Sequence, residues 1–105
     1  MEANLKQINP QQIIKNLVKN GWKEWKTPNG RKYYFKTIDY QNWMVWEYKG
    51  KLYLKLKKSY IITTGARFKN SWEQIGVDAG LFPAKNNLTR RERAERMAAV
   101  FVEVQ

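Results

Sequence analysis

The stretch KGKLYLKLKK, residues 49–58, decides the fold because it alternates at every second position. The apolar positions are Leu52, Leu54 and Leu56, and the positions between them are Tyr53, Lys55 and Lys57. This period of two is typical of a β-strand with one buried face. We therefore expect the leucines to point into a core and the tyrosine and lysines to point away from it.

The segments on either side of this stretch have the composition of further strands. Strands are predicted at residues 22–26, 31–38, 43–48, 51–57 and 59–64. The sequences TPNG (27–30) and Lys49-Gly50 are typical of hairpin turns, and DYQN (39–42) makes the connection between the second and third strands. Because no helix separates these strands, the pattern predicts an antiparallel meander, in which one face can be open to water.

Helices are predicted on both sides of the meander. Asn9 and Pro10 suit an N-cap and a first helical position, and Gly21 suits the end of that helix. Capping patterns at Ser71 and Thr89 predict two C-terminal helices. The fold class is therefore α+β: a single domain with an antiparallel β-meander of four or five strands, and with the N-terminal helix and the C-terminal helices packed on one face.

The composition limits the chemistry that is open to this chain. Its 105 residues include no Cys and no His, which excludes disulfides, thiolate nucleophiles, His-dependent triads and the usual zinc sites. We therefore expect a non-catalytic protein without a metal or cofactor. The first residues lack the apolar segment of a secretory signal, and no run approaches the ~20 apolar residues that span a bilayer. These features predict a cytoplasmic protein that does not bind a membrane.

The charge of the chain is strongly positive and unevenly distributed. Twenty Lys and Arg against nine Asp and Glu give a net charge of +11. Residues 19–69 hold thirteen of the basic residues and three of the acidic ones, which is +10 of that total. An excess of this size favours a polyanion as partner, and nucleic acid is the most common one.

The strand period assigns the basic and aromatic residues to faces of the sheet. Tyr33 and Phe35 form a sensible core pair, which leaves alternate residues of that strand on the outward face. The predicted nucleic-acid-binding residues are Lys32, Tyr34, Lys36, Tyr53, Lys55, Lys57, Trp25 and Trp46, with Arg67 and Lys69 in the loop after the fifth strand. Bases stack on aromatic rings while lysines follow phosphates, so this face predicts binding of single-stranded DNA or RNA in preference to duplex.

A protein partner is the main alternative for the same face. The lysines and exposed aromatic residues would then dock on an acidic protein or on a nucleic-acid-processing complex, as a phage- or plasmid-encoded inhibitor does. Aromatic and arginine side chains are the usual anchors of such interfaces.

Two motifs suggest further functions. Residues 72–97 have the outline of a helix-turn-helix, in which Arg90 and Arg91 of the last helix would contact duplex DNA. Asp39 with Glu47-x-Lys49 resembles a metal-dependent nuclease signature. However, the strand between the two acids would hold them ~26 Å apart, too far to share a metal ion.

The sequence IIKNLVKNGWKEWKTPNGRKYYF, residues 13–35, is similar to the start of the HicA-type toxins, which are small mRNA interferases with an α-β-β-β-α fold. That family depends on a histidine after the first strand, and this chain has none. The resemblance therefore implies an RNA-binding fold without cleavage. Residues 21–35 also resemble the first hairpin of WW domains, without their closing Trp-x-x-Pro.

Overall fold

A computed structural model describes residues 9–62, 64–83, 85 and 87–104. Its first element is helix α1, Pro10–Lys19, whose N-cap Asn9 accepts a hydrogen bond from the Gln11 N–H at 2.8 Å. Gly21 follows the helix with φ at +99°, a left-handed conformation that glycine adopts without strain. The predicted first helix is confirmed at both ends.

Five strands form one sheet, in chain order: β1 Lys23–Lys26, β2 Lys32–Ile38, β3 Gln41–Tyr48, β4 Lys51–Ser59 and β5 Phe101–Val104. Strands β1 to β4 pair antiparallel, which confirms the meander. The alternation of β4 is confirmed as well, since its leucines at 52 and 54 are buried. The register with β3 then shifts by one residue and leaves Lys57 without a partner on β3, so a β-bulge interrupts the alternation there.

Two tight turns fix the register of the three longest strands. Asp39-Tyr40 joins β2 to β3, and Lys49-Gly50 joins β3 to β4. All four residues have positive φ, from 50° to 78°, as in the type I′ turns that suit two-residue hairpins. The first of these turns is shorter than the predicted connection over residues 39–42, because Gln41 already pairs with Ile38.

The fifth strand is not the predicted segment 59–64. Strand β4 includes Ser59, and the N–H of Tyr60 then donates to the Tyr40 carbonyl at 2.8 Å, which directs the chain back towards the preceding hairpin. The fifth strand is instead the C-terminal β5, which runs parallel to β4. Of the predicted segment, Thr63 lies outside the described residues.

Parallel pairing requires a long crossover, and helices α2 Gly65–Asp78 and α3 Arg90–Val100 provide it. Helix α2 begins earlier than predicted, because Thr64 accepts a hydrogen bond from the Arg67 N–H at 3.1 Å and is the N-cap. Ser71 lies inside this helix and donates to the Arg67 carbonyl. The capping box of α3 is confirmed, with Thr89 and Glu92 bonded reciprocally at 2.8 and 3.1 Å.

All three helices pack on one face of the sheet, which we call the inner face. The core there includes Leu17, Tyr34, Trp43, Val45, Leu52, Leu54, Ile75 and Met97. No described helix or strand covers the opposite, outer face. The predicted α+β arrangement is thus confirmed. None of the described helices has the length and apolar character needed to cross a membrane.

Candidate nucleic-acid interface

Each of the four antiparallel strands contributes one aromatic side chain at the same level of the outer face. The register places Trp25 opposite Tyr33, Tyr33 opposite Trp46, and Trp46 opposite Tyr53. Consecutive ring centroids are 6.2, 6.1 and 5.5 Å apart. We call these four residues the aromatic row. It crosses the strands over about 14 Å, since neighbouring strands are ~4.8 Å apart.

The rings of the aromatic row differ in how much of their surface is free. Trp46 and Tyr53 stack with an interplanar angle of 16°, so each covers one face of the other. Trp25, on the edge strand β1, has 55% of its surface exposed. At the other end, the ring centroid of Tyr48 lies 6.5 Å from that of Tyr53, and Tyr48 is 47% exposed. The two ends therefore offer aromatic surface on which a base can stack.

A second row of outward side chains runs beside the aromatic row. The register aligns Lys23 with Phe35, Phe35 with Met44, and Met44 with Lys55. This row lies about 7 Å from the first, the distance of two residues along a strand. It begins and ends with a lysine, and Lys23 is exposed while Lys55 is partly exposed. Two cations thus lie on the outer face, one at each end of this second row.

Carboxylates are confined to the inner face of the sheet. The glutamates of the described strands are Glu24, Glu47 and Glu103, and the register pairs each of them with an inward residue. No outward residue of these strands is Asp or Glu. A face with lysines and without carboxylates attracts anions.

Four of the predicted site residues lie together on the outer face: Trp25, Trp46, Tyr53 and Lys55. Lys57 is exposed and lies at the bulge of β4, two residues beyond Lys55. The structure therefore brings the β4 part of the prediction and both tryptophans into one surface.

The outward face predicted for β2 is wrong, because Lys32, Tyr34 and Lys36 belong to the inward side of the strand. Tyr34 is 5% exposed, and its hydroxyl donates to Glu24 Oε2 at 3.0 Å. Burial, together with the hydrogen bond to Glu24, raises the pKa of Tyr34 to about 12. Lys36 Nζ donates to Asp78 Oδ2 at 2.7 Å, and Lys32 Nζ lies 3.9 Å from Glu24 Oε2. Tyr34 and Lys36 thus stabilise the fold.

Sequence reasoning left five outward residues out of the predicted site: Lys23, Tyr33, Phe35, Met44 and Tyr48. The length of the two hairpin turns is the sequence signal that could have identified them, because turn length sets the register between strands. The Lys49-Gly50 turn sets Trp46 opposite Tyr53, and a two-residue Asp39-Tyr40 turn then sets Tyr33 opposite Trp46. The longer connection predicted over residues 39–42 gave no such register, and the hydrophobic run of β2 fits either face.

The predicted basic residues outside the sheet do not join this surface. Arg67 and Lys69 lie in α2 rather than in a loop, and the Arg67 guanidinium pairs with Asp39 at 3.3 Å. Arg90 and Arg91 are exposed in the first turn of α3. Because these helices pack on the inner face, all four residues lie across the sheet from the aromatic row. Residues 79–89 separate α2 from α3, which does not match the short turn of a helix-turn-helix.

The residues of the nuclease-like signature lie apart. Asp39 precedes β3 and pairs with Arg67, whereas Glu47 lies near the other end of β3 and accepts a hydrogen bond from Gln11 at 2.6 Å. Among the residues that the structure describes, no group of three or more acids is placed to hold a metal ion.

The candidate interface is therefore a sheet face with an aromatic row and neighbouring lysines, and its described strand residues include no outward Asp or Glu. No family model, no curated protein and no solved structure matches the chain.

Proposed function

We propose that this protein binds single-stranded nucleic acid, DNA or RNA, without catalysis, on the outer face of its sheet. The observation that carries the proposal is the aromatic row on a face that has lysines and no carboxylate. Stacking of a base on an aromatic ring contributes roughly 1–3 kcal/mol, and lysines gain further affinity by neutralising phosphates.

The strand of nucleic acid would run across the β-strands, along the aromatic row. Its bases would stack on Trp25, at one end of the row, and on Tyr48, whose ring lies next to that of Tyr53 at the other end; these two side chains are 55% and 47% exposed. Its phosphates would follow Lys23 and Lys55 in the neighbouring row. A row of this length suits about four nucleotides, the low end of the site sizes of single-stranded binding folds.

The shape of the face favours single strands over duplex. The major groove of DNA, ~12 Å wide, admits a helix or a two-stranded ribbon. The outer face of this five-stranded sheet is about 19 Å wide, because four inter-strand spacings of ~4.8 Å separate its edges. The aromatic rings also need unpaired bases with free faces. Both arguments support a single strand rather than a duplex as the ligand.

The proposal is tested by titrating the protein into fluorescein-labelled single-stranded DNA, single-stranded RNA and duplex DNA at several salt concentrations. We expect anisotropy to rise with the single strands and tryptophan fluorescence to be quenched. If Lys23, Lys55 and Lys57 neutralise one phosphate each, the slope of log affinity against log salt is about −2. Preferential binding to duplex without quenching would contradict the proposal.

Charge reversal locates the binding surface. The double variant Lys55→Glu/Lys57→Glu should lose at least tenfold in affinity, by the order of ~1 kcal/mol per charge, and should keep its thermal midpoint. The matched control is Lys15→Glu/Lys19→Glu, which makes the same charge change on exposed positions of α1. An equal loss of affinity in both variants would mean that net charge, and not the outer face, determines binding.

A protein partner is a second candidate, and the apolar content of the outer face favours it. Trp46 stacks on Tyr53, Met44 is 9% exposed beside them, and Val102 of β5 is 42% exposed. An apolar centre with a charged rim is the anatomy of many protein interfaces. Complex formation that survives nuclease treatment and depends weakly on salt would favour this candidate over nucleic acid.

A further inference from the structure

Three large apolar side chains are strongly exposed at one end of the sheet. They are Tyr40, Tyr60 and Ile62, with exposed fractions of 63%, 55% and 88%. We call these three residues the tip. It lies about 17 Å along β2 from the aromatic row, since five residues separate Tyr33 from Ile38 at the turn. The tip is therefore a surface separate from the candidate nucleic-acid interface.

The backbone that carries the tip is held from several sides. The N–H of Tyr60 donates to the Tyr40 carbonyl at 2.8 Å, which joins the two loops. The Asp39 carboxylate pairs with Arg67 of α2 at 3.3 Å, and the Ser59 hydroxyl donates to the Ile61 carbonyl at 2.6 Å. A surface that is already ordered loses little conformational entropy when a partner binds.

The exposure of the tip runs against what the hydrophobic effect favours. The φ of Tyr40, +62°, is that of the two-residue turn between β2 and β3, which places Tyr40 at the end of the sheet. Ile62 follows a β-prone segment, yet its side chain is almost fully in water. Three large apolar residues this exposed on two adjoining loops are a candidate binding surface.

The charge around the tip identifies the chemistry of its partner. Lys58 is exposed, and its Nζ lies 5.0 Å from the centroid of the Tyr60 ring. The nearby carboxylate of Asp39 is already paired with Arg67. Apolar residues with a cationic rim complement an apolar pocket with an anionic rim.

We propose that the tip docks into an apolar pocket edged by carboxylates on a partner protein. A second copy of this chain does not fit, because two tips would bring Lys58 against the same lysine of the other copy, and each chain already carries a net charge of +11. The proposal is independent of the function of the outer face, since the two surfaces lie at different places on the sheet.

The test uses a phage-displayed library of random peptides, selected on the full chain. We expect the recovered peptides to combine large apolar residues with Asp or Glu. A synthetic peptide from the selection should bind Ile62→Ser and Tyr60→Ser at least tenfold more weakly, as expected for anchor residues worth more than ~1.4 kcal/mol. Lys58→Glu should weaken the same peptide severalfold.

Trp25→Ser is the matched control, because Trp25 is as exposed as Tyr60 and lies on the outer face. Its affinity for the peptide should equal that of the wild type, and all four variants should keep the wild-type thermal midpoint. The proposal fails if the selected peptides lack Asp and Glu, or if no peptide loses affinity when the tip is substituted. It also fails if Trp25→Ser lowers the affinity for the peptide as much as Ile62→Ser does. Ile62-dependent dimerisation, or Ile62-dependent binding to phosphatidylserine vesicles without any tip-dependent peptide, would also overturn it.

Discussion

The inner and outer faces of the sheet carry the same kinds of residue in different states of pairing. On the inner face, the Trp22 indole and Lys36 Nζ both donate to the buried carboxylate of Asp78, at 2.9 and 2.7 Å. On the outer face, no described hydrogen bond or ion pair engages Lys23 or Lys55. Buried polar groups need partners to offset their lost hydration, whereas exposed ones remain available for a ligand.

This difference shows that residue type alone does not identify a binding surface in this protein. Tyr33 and Tyr34 are neighbours in sequence, yet one is in the aromatic row and the other is in the core. The role of each side chain follows from which face it points to and from whether its polar atoms have partners. Paired substitutions, one on each face, test this directly.

The largest effects are expected for the tryptophans. Trp22 is 2% exposed, so Trp22→Ala should lower the free energy of unfolding by about 4 kcal/mol, the usual cost of emptying a buried Trp site. Trp25→Ala should cost less than ~1 kcal/mol of stability, yet should weaken single-strand binding about 30-fold through the lost stacking. Urea denaturation and anisotropy titration measure the two quantities.

The contrast between the two faces is contradicted if Trp22→Ala and Trp25→Ala change stability and binding by similar amounts. A large stability loss in Trp25→Ala would show that the aromatic row holds the sheet together. Normal binding by Trp25→Ala would remove its ring from the proposed interface.

The lysines give the next largest effects. Lys36→Met leaves the Asp78 carboxylate, which is 5% exposed, without its cation, and should cost about 2 kcal/mol of stability. Lys55→Met removes a cation with no such partner and should change stability by less than ~0.5 kcal/mol. In the salt titration, Lys55→Met should make the slope shallower by about 0.7, the value of one phosphate contact. An unchanged slope would exclude Lys55 from contact with phosphate.

The smallest effect concerns the hydroxyl of Tyr34. Tyr34→Phe removes its hydrogen bond to Glu24 and should cost about 1 kcal/mol at neutral pH. The folded pKa of about 12 lies above the ordinary value near 10, so the folded protein holds this proton more tightly than the unfolded chain does. This stabilisation is fully present below pH ~10 and is lost as the pH rises towards 12.

Urea denaturation from neutral pH to pH 12 checks the direction of this dependence. The stability difference between wild type and Tyr34→Phe should shrink as the pH rises through this range. A difference that stays constant would show that Tyr34 keeps no raised pKa in the folded protein.

Much of the fold followed from local sequence signals. The alternation in β4, the Asn9 cap of α1 and the Thr89 capping box each predict a structure from neighbouring residues, and each is confirmed. The fifth strand could not be found in this way. Residues 59–64 and 101–104 are both rich in strand formers, so propensity does not choose between them; parallel pairing to β4 depends on a crossover through two helices, which is a tertiary effect.

The outward residues of the candidate site could be predicted only for a strand whose own sequence separates a buried side from an exposed side. Strand β4 does so, because its leucines occupy one side. In β2, aromatic residues occupy both sides, so the faces depend on the Asp39-Tyr40 turn that sets the register with β3. Lys36 takes an inward position because it pairs with Asp78, a partner 42 residues away in sequence that the local pattern does not reveal.

The most direct test follows the five tryptophan indole signals in proton–nitrogen correlation spectra while a short single-stranded oligonucleotide is added. Each indole reports on one place in the molecule: Trp25 and Trp46 on the outer face, and Trp22, Trp43 and Trp72 on the side of the helices. We predict that the signals of Trp25 and Trp46 shift and that the other three stay in place. Shifts confined to the other three, or no shift during saturable binding, would contradict the assignment of nucleic-acid binding to the outer face.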